Sequence, residues 1–144
     1  MQSFHFRLDR VLTWYRKKCR IEENRLAERL EEMRILDARI ARFQAERLAI
    51  ERELLAHREI PAADFASLGR YRLRAQDQEL EFAQERQRVE TVVSEQRART
   101  QQAQRRVKLV EKLRERRAAE YAVLADRELE TLAAEAYLAQ MGGR

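Results

Sequence analysis

Only 3 glycines and 1 proline occur in 144 residues. A globule built of many short elements spends far more of both on its turns, so their scarcity excludes frequent chain reversals. The single cysteine, Cys19, admits no internal disulfide, which excludes a disulfide-stapled scaffold and fits a reducing compartment. The histidines, His5 and His57, are far apart, and the sequence has no Cys-x-x-Cys, His-x-x-x-His or glycine-rich phosphate loop. No metal site or cofactor is expected. Long apolar runs are missing too. The longest, Tyr121 to Ala125, falls well short of the about 20 residues that a membrane span requires. Met1 is followed by aromatic and charged residues rather than an apolar segment, so no secretion signal is expected.

What is abundant is charge of both signs. Charged residues make up 38% and hydrophobic residues 44% of the chain, and Ala, Glu, Arg, Leu and Gln dominate. Those residues lose little rotamer freedom in a helix, and together they are the composition of long helices. Thirty basic against 25 acidic residues leave a net charge of +5. Intermixed charges of this density suit a solvated helix surface laced with i,i+4 pairs. Arginine outnumbers lysine several-fold, and its planar fork suits carboxylates, which points toward acidic protein partners. A codon bias would produce the same skew.

Apolar periodicity gives the architecture. Read from Leu8 in alternating steps of four and three, the chain passes Leu12, Tyr15, Cys19, Glu22, Leu26, Arg29, Met33, Leu36, Ile40, Phe43, Arg47, Ile50 and Leu54. Only Glu22, Arg29 and Arg47 break that seam. A 3.5-residue period held this long predicts a coiled-coil helix from about Phe4 to Ala56. At 1.5 Å per residue such a helix is about 75 Å long. The segment from His57 to Ala66 holds the only proline, Pro61, and reads as a turn, with Ile60 extended and Asp64 as the cap of the next helix. A second helix is predicted from about Ser67 to Gln140. Its weaker seam runs through Leu68, Tyr71, Ala75, Phe82, Val89, Val92 or Val93, Ala103, Val107, Val110 and Leu113. Gln96 interrupts its middle. A polar residue in a seam costs stability but can fix register. Paired glycines after Met141 read as a stop. The expected fold is therefore all-α: a single coiled-coil domain of two long helices in an antiparallel hairpin, the second extending beyond the first.

In such a hairpin, equal rise in both arms sets residue i against roughly residue 124 minus i. Two basic clusters then become neighbours. One runs from Arg16 through Lys17 and Lys18 to Arg20. The other comprises Arg105, Arg106, Lys108, Lys112, Arg114, Arg116 and Arg117, diluted by Glu111 and Glu115. Either the cluster serves an acidic partner, or solvent and flanking glutamates neutralise it. Beyond about residue 122 the second helix has no counterpart. That extension is acidic, yet carries an apolar stripe of Tyr121, Leu124, Leu129, Leu132 and Ala136. It is a candidate binding face unless Phe4, Phe6 and Leu8 cover part of it. A two-helix coiled coil offers no interior for catalysis, so an enzyme is not expected. Carboxylate pairs such as Glu22-Glu23 and Glu31-Glu32 read as solvated charge, and Cys19 as a packing residue. The basic residues could meet phosphates, but acid and base alternate around the helices and the aromatics are not interleaved with the basic cluster. Nucleic acid is not expected as a partner, nor is a small-molecule substrate.

Two motifs carry a family resemblance. The opening, Phe4-His5-Phe6-Arg7-Leu8-Asp9-Arg10-Val11-Leu12, resembles the F-x-F-R-L-x-x-V-L start of the flagellar export protein FliJ family. Near the other end, Val107-Lys108-Leu109-Val110-Glu111-Lys112-Leu113-Arg114-Glu115-Arg116-Arg117 is similar to that family's V-x-x-L-E-K-L-K-E-R-R stretch, with Val110 in place of its leucine. Tyr121 falls at the family's usual spacing. With chain length and central break, the resemblance covers nearly the whole chain. It implies a cytoplasmic component of the flagellar type III export apparatus, peripherally associated with the membrane. Its partners would be the export ATPase ring, which it helps to assemble, an export gate membrane protein and export chaperones. The partner-binding residues implied lie at the terminal end: Phe4, Phe6, Arg7, Leu8, Val11, Leu12, Arg16, Lys17, Arg105, Arg106, Lys112, Arg114, Arg116, Arg117, Tyr121, Leu124 and Leu132. The corresponding stalk of a virulence type III secretion ATPase is the alternative, and a basic coiled-coil nucleic-acid binder a more distant one.

Overall fold

A computed structural model describes residues 2–57 and 59–143. Arg58 of the expected turn, and the termini Met1 and Arg144, lie outside the described residues. The chain forms two helices, α1 (Asp9–Leu55) and α2 (Ala62–Gly142), which pack against each other in antiparallel directions. The second is the longer, with 81 residues against 47.

Both helices begin where local chemistry dictates rather than where the apolar pattern does. The apolar pattern reaches Phe4, yet α1 starts at Asp9. Phe6 is buried, and its carbonyl accepts the Asp9 amide at 3.1 Å. Phe4 packs on Tyr121 with ring centroids 5.6 Å apart. Residues 2–6 are therefore recruited as an irregular strap, and the acidic Asp9 takes the first turn, where the helix dipole favours it. At the far end α2 begins three residues earlier than an Asp64 cap would place it. The Pro61 carbonyl accepts the amides of Asp64 and Phe65 at 3.0 and 3.1 Å. Proline has its φ preset for a helix opening, and Asp64 sits inside the first turn instead of capping it.

The contacts divide the chain into two compact units. One contains Glu22 to Thr100, the other the residues up to Ile21 together with those from Gln101 onward. In the Glu22–Thr100 unit, Leu36, Leu68, Ala75, Phe82 and Val93 are buried, and Phe43 packs edge-on against Phe82 at 5.5 Å. Charged side chains bridge the two helices beside this core. Arg86 reaches Asp37 at 2.9 Å, Arg72 reaches Glu51 at 3.6 Å, and Arg47 pairs with Glu79. The Asp37 carboxylate raises the already high pKa of Arg86 by hydrogen bonding to it. Asp37–Arg86 and Glu51–Arg72 have residue numbers that both add to 123, within one of the register expected from equal helical rise.

One layer of this unit is polar. Gln96 and Thr100 are 5% and 3% exposed. The Gln96 amide donates to the Glu22 carbonyl at 3.2 Å and to the Glu22 carboxylate, and the Thr100 hydroxyl lies 3.2 Å from that carbonyl. A buried amide keeps these bonds only when Glu22 is opposite it, so sliding one helix by a turn would strand it. Gln96→Leu removes that penalty. The variant is expected to melt at or above the wild-type temperature but to sediment as more than one species, whereas a single species of wild-type mass would show that the layer does not fix register. Glu22 keeps Arg25 at 3.1 Å in that variant, so its carboxylate is not left without a partner.

Candidate interaction surface at the terminal unit

The second unit brings both sequence motifs together. Arg114 pairs with Asp9 at 3.3 Å and Arg16 with Glu111 at 3.1 Å. The Tyr121 hydroxyl donates to the Gln2 carbonyl. Leu12 is the most enclosed large side chain, 2% exposed, and Cys19 is buried in the seam below it. Phe6 and Leu12, two of the residues expected to bind a partner, thus face inward and hold the helices together. Phe4, Tyr121 and Leu113 are half-buried beside them.

The strap, crossing α2, leaves an open groove of about 830 Å³, whose walls include Phe4, Phe6, Leu8, Leu113, Tyr121 and Leu124. Arg7 and His5 also line it, and Arg117 is tied to Glu120 at 3.2 Å. The sequence alone promised no concavity. The groove arises because residues 2–6 leave helical geometry, which periodicity does not reveal. The strap covers only the start of the apolar stripe on α2, since Leu124 is still 59% exposed. An aromatic pair contributes about 1 kcal/mol beyond its area. Phe4→Ala is therefore expected to speed amide exchange at Asp9 and Leu12 severalfold without lowering the global unfolding midpoint by much. Unchanged exchange would mean that Phe4 does not hold the strap.

Outward from this core the surface is basic. Between Asp9 and Glu22 there is no acidic residue, while Arg10, Arg16, Lys17, Lys18 and Arg20 occur there. On α2, Arg105, Lys108, Lys112 and Arg116 follow in steps of three, four and four, so they share one face. That face is turned from α1, because Ala103, Val107 and Val110 are half-buried while these four are exposed. Of the expected contact residues, Arg16, Arg114 and Arg117 are already ion-paired. Among the described residues, no carboxylate lies within ion-pair distance of Lys17, Arg105, Arg106, Lys112 or Arg116. Exposed apolar groups stand among them: Val11, Trp14, Ile21 and Leu109. Lys18 sits 4.0 Å from the centroid of the Trp14 ring. Within the cluster, Glu111, Asp9 and Glu120 thus pair Arg16, Arg114 and Arg117, while the outer stripe faces solvent. Lys108 and Trp14 belong to this surface: Lys108 lies in the basic cluster read from the sequence but outside the contact residues that the resemblance implies, and Trp14 lies in neither. The spacing of Lys108 from Arg105 and Lys112 was the available signal.

Among the described residues no group of three His, Cys, Asp or Glu side chains is placed to hold a metal ion, and no helix is long and apolar enough to cross a membrane. No protein-family model, curated protein or solved structure matches the chain.

Proposed function

We propose that this chain is a non-enzymatic, stalk-like adaptor of the bacterial flagellar type III export apparatus. Its terminal unit binds the export ATPase and promotes assembly of the ATPase ring. Other surfaces reach an export gate membrane protein and export chaperones, at the cytoplasmic face of the membrane. The observation that carries this reading is the meeting of the two FliJ-like motifs: Phe4 on Tyr121 and Asp9 on Arg114 join segments more than a hundred residues apart into one basic surface. Unpaired arginine and lysine on a rigid helix face suit carboxylates on a partner. The chain supplies charge and shape, and the partner supplies the chemistry.

Mixing the purified chain with a purified flagellar export ATPase tests this. ATP hydrolysis and the fraction of ATPase in rings should both rise with added chain, and an unchanged rate with no ring assembly would overturn the proposal. A response only from a virulence secretion ATPase would move the chain to that system. Retention on DNA that salt abolishes, without any ATPase effect, would favour a nucleic-acid binder instead.

A further inference from the structure

We infer that the last part of α2 is a seat for one amphipathic helix of another protein, a helix whose apolar seam is flanked by lysine or arginine. The inference is independent of the export-ATPase reading and concerns a different surface from the basic one.

The seat is a continuation of the seam that already packs. Ala118, Tyr121 and Ala125 are half-buried. From Ala125 the same face continues through Leu129, Leu132, Ala136 and Ala139, in steps of four, three, four and three. That spacing presents a narrow stripe to a second helix. Among the described residues no second helix covers it. Leu129 and Leu132 are 55% and 60% exposed. Beside them lies a shallow groove of about 540 Å³ lined by Leu124, Arg127, Glu128, Thr131, Leu132 and Glu135.

The charges around the stripe select the occupant. Glu128 and Glu135 are seven residues apart and so flank the stripe on one side, while Asp126 flanks it on the other. Among the described residues, none of these carboxylates has a lysine or arginine within ion-pair distance. In coiled coils, charges flanking the seam decide which helix pairs with which, because like charges there repel. A second copy would set acidic flanks against acidic flanks across a stripe with only two leucines, so it is disfavoured. A helix with basic flanks satisfies both the leucines and the carboxylates.

The probe is a synthetic amphipathic helix of about 15 residues, matching the span from Ala125 to Ala139 at 1.5 Å per residue. It carries leucine at the seam and lysine on both flanks, and its twin carries glutamate flanks. Each is fluorescently labelled and titrated against the full chain. The twin can adhere to the basic surface, so the readout is the component of binding that Leu129→Asn/Leu132→Asn removes. The lysine-flanked helix is expected to lose affinity at least about tenfold in that variant, since two leucine side chains lose their burial against it. Any binding of the glutamate-flanked twin should not change. In Glu128→Lys/Glu135→Lys the preference should reverse, with leucine-dependent binding passing to the twin. Circular dichroism should show unchanged helix content in both variants, because all four substituted side chains are exposed. Binding of the lysine-flanked helix that ignores the leucines, or equal leucine-dependent binding of both helices, would overturn the inference. So would the absence of any binding. Concentration-dependent dimerisation of the wild type, lost in the leucine variant, would replace the partner helix with a second copy and likewise overturn it.

Discussion

Leu12→Ala is expected to lower unfolding stability by about 2–5 kcal/mol, the range for deleting a buried leucine side chain where neighbours cannot collapse into the space. Leu12 is 2% exposed, so its side chain is enclosed and its truncation leaves a cavity. The urea midpoint should fall with little change in slope, because the surface exposed on unfolding stays nearly the same. Leu132→Ala provides the comparison. It removes the same atoms from an exposed site and should remain within about 0.5 kcal/mol of wild type. Equal effects at the two positions would mean that the terminal unit is not packed around Leu12.

The second large effect concerns the basic surface. Reversing Arg105, Lys108, Lys112 and Arg116 to glutamate is expected to abolish stimulation and ring assembly of the export ATPase while leaving the chain folded. These four face away from α1, so their replacement breaks no ion pair between the helices. Reversing Arg16, Arg114 and Arg117 is a poorer probe of binding. Arg16 and Arg114 bridge the helices to Glu111 and Asp9, and Arg117 pairs with Glu120 within α2, so their reversal removes ion pairs of this chain along with any contact to a partner. A quadruple outer-face variant with undiminished ATPase stimulation would remove the basic stripe from the proposed contact. If binding is electrostatic, raising salt should mimic the substitutions by degrees.

Much of this fold was legible because a coiled-coil seam repeats one physical requirement along the chain. Leu12, Cys19 and Leu36 are buried, and Tyr15, Leu26, Met33, Ile40 and Phe43 are half-buried, all at positions the period selects. The reading fails near the end of α1. Ile50 continues the apolar pattern but is 39% exposed, and Glu51 turns inward instead. An extra four-residue step from Arg47 to Glu51 shifts the seam, and such a stutter locally unwinds the supercoil. Glu51 tolerates the position because Arg47 and Arg72 both reach it, at 3.5 and 3.6 Å. A search for apolar residues cannot find an inward carboxylate whose partners come from two helices. The choice between Val92 and Val93 is decided the same way: Val93 is buried, one four-residue step beyond Val89.

The surface was legible in part. Charge density marked the terminal end, and heptad arithmetic set Arg114 and Glu111 near the start of α1. What the sequence could not separate was which arginines are spent on ion pairs and which remain for a partner, because that depends on angular position at a resolution of one residue. Nor did it show the strap, whose aromatic residues extend the helical pattern on paper while folding across α2 in space.

The reversal of the chain, which joins the two motifs, is tested most directly by a distance across the terminal unit. Cysteines replacing Arg16 and Glu111, in a background with Cys19→Ser, carry spin labels at positions whose native side chains are 3.1 Å apart. Diluting labelled chains with unlabelled ones keeps only distances within one molecule. Neighbouring helices about 8–10 Å apart predict labels within about 10–15 Å of each other. A separation several times larger, as a single continuous helix rising 1.5 Å per residue would give, would contradict the hairpin and with it the shared basic surface.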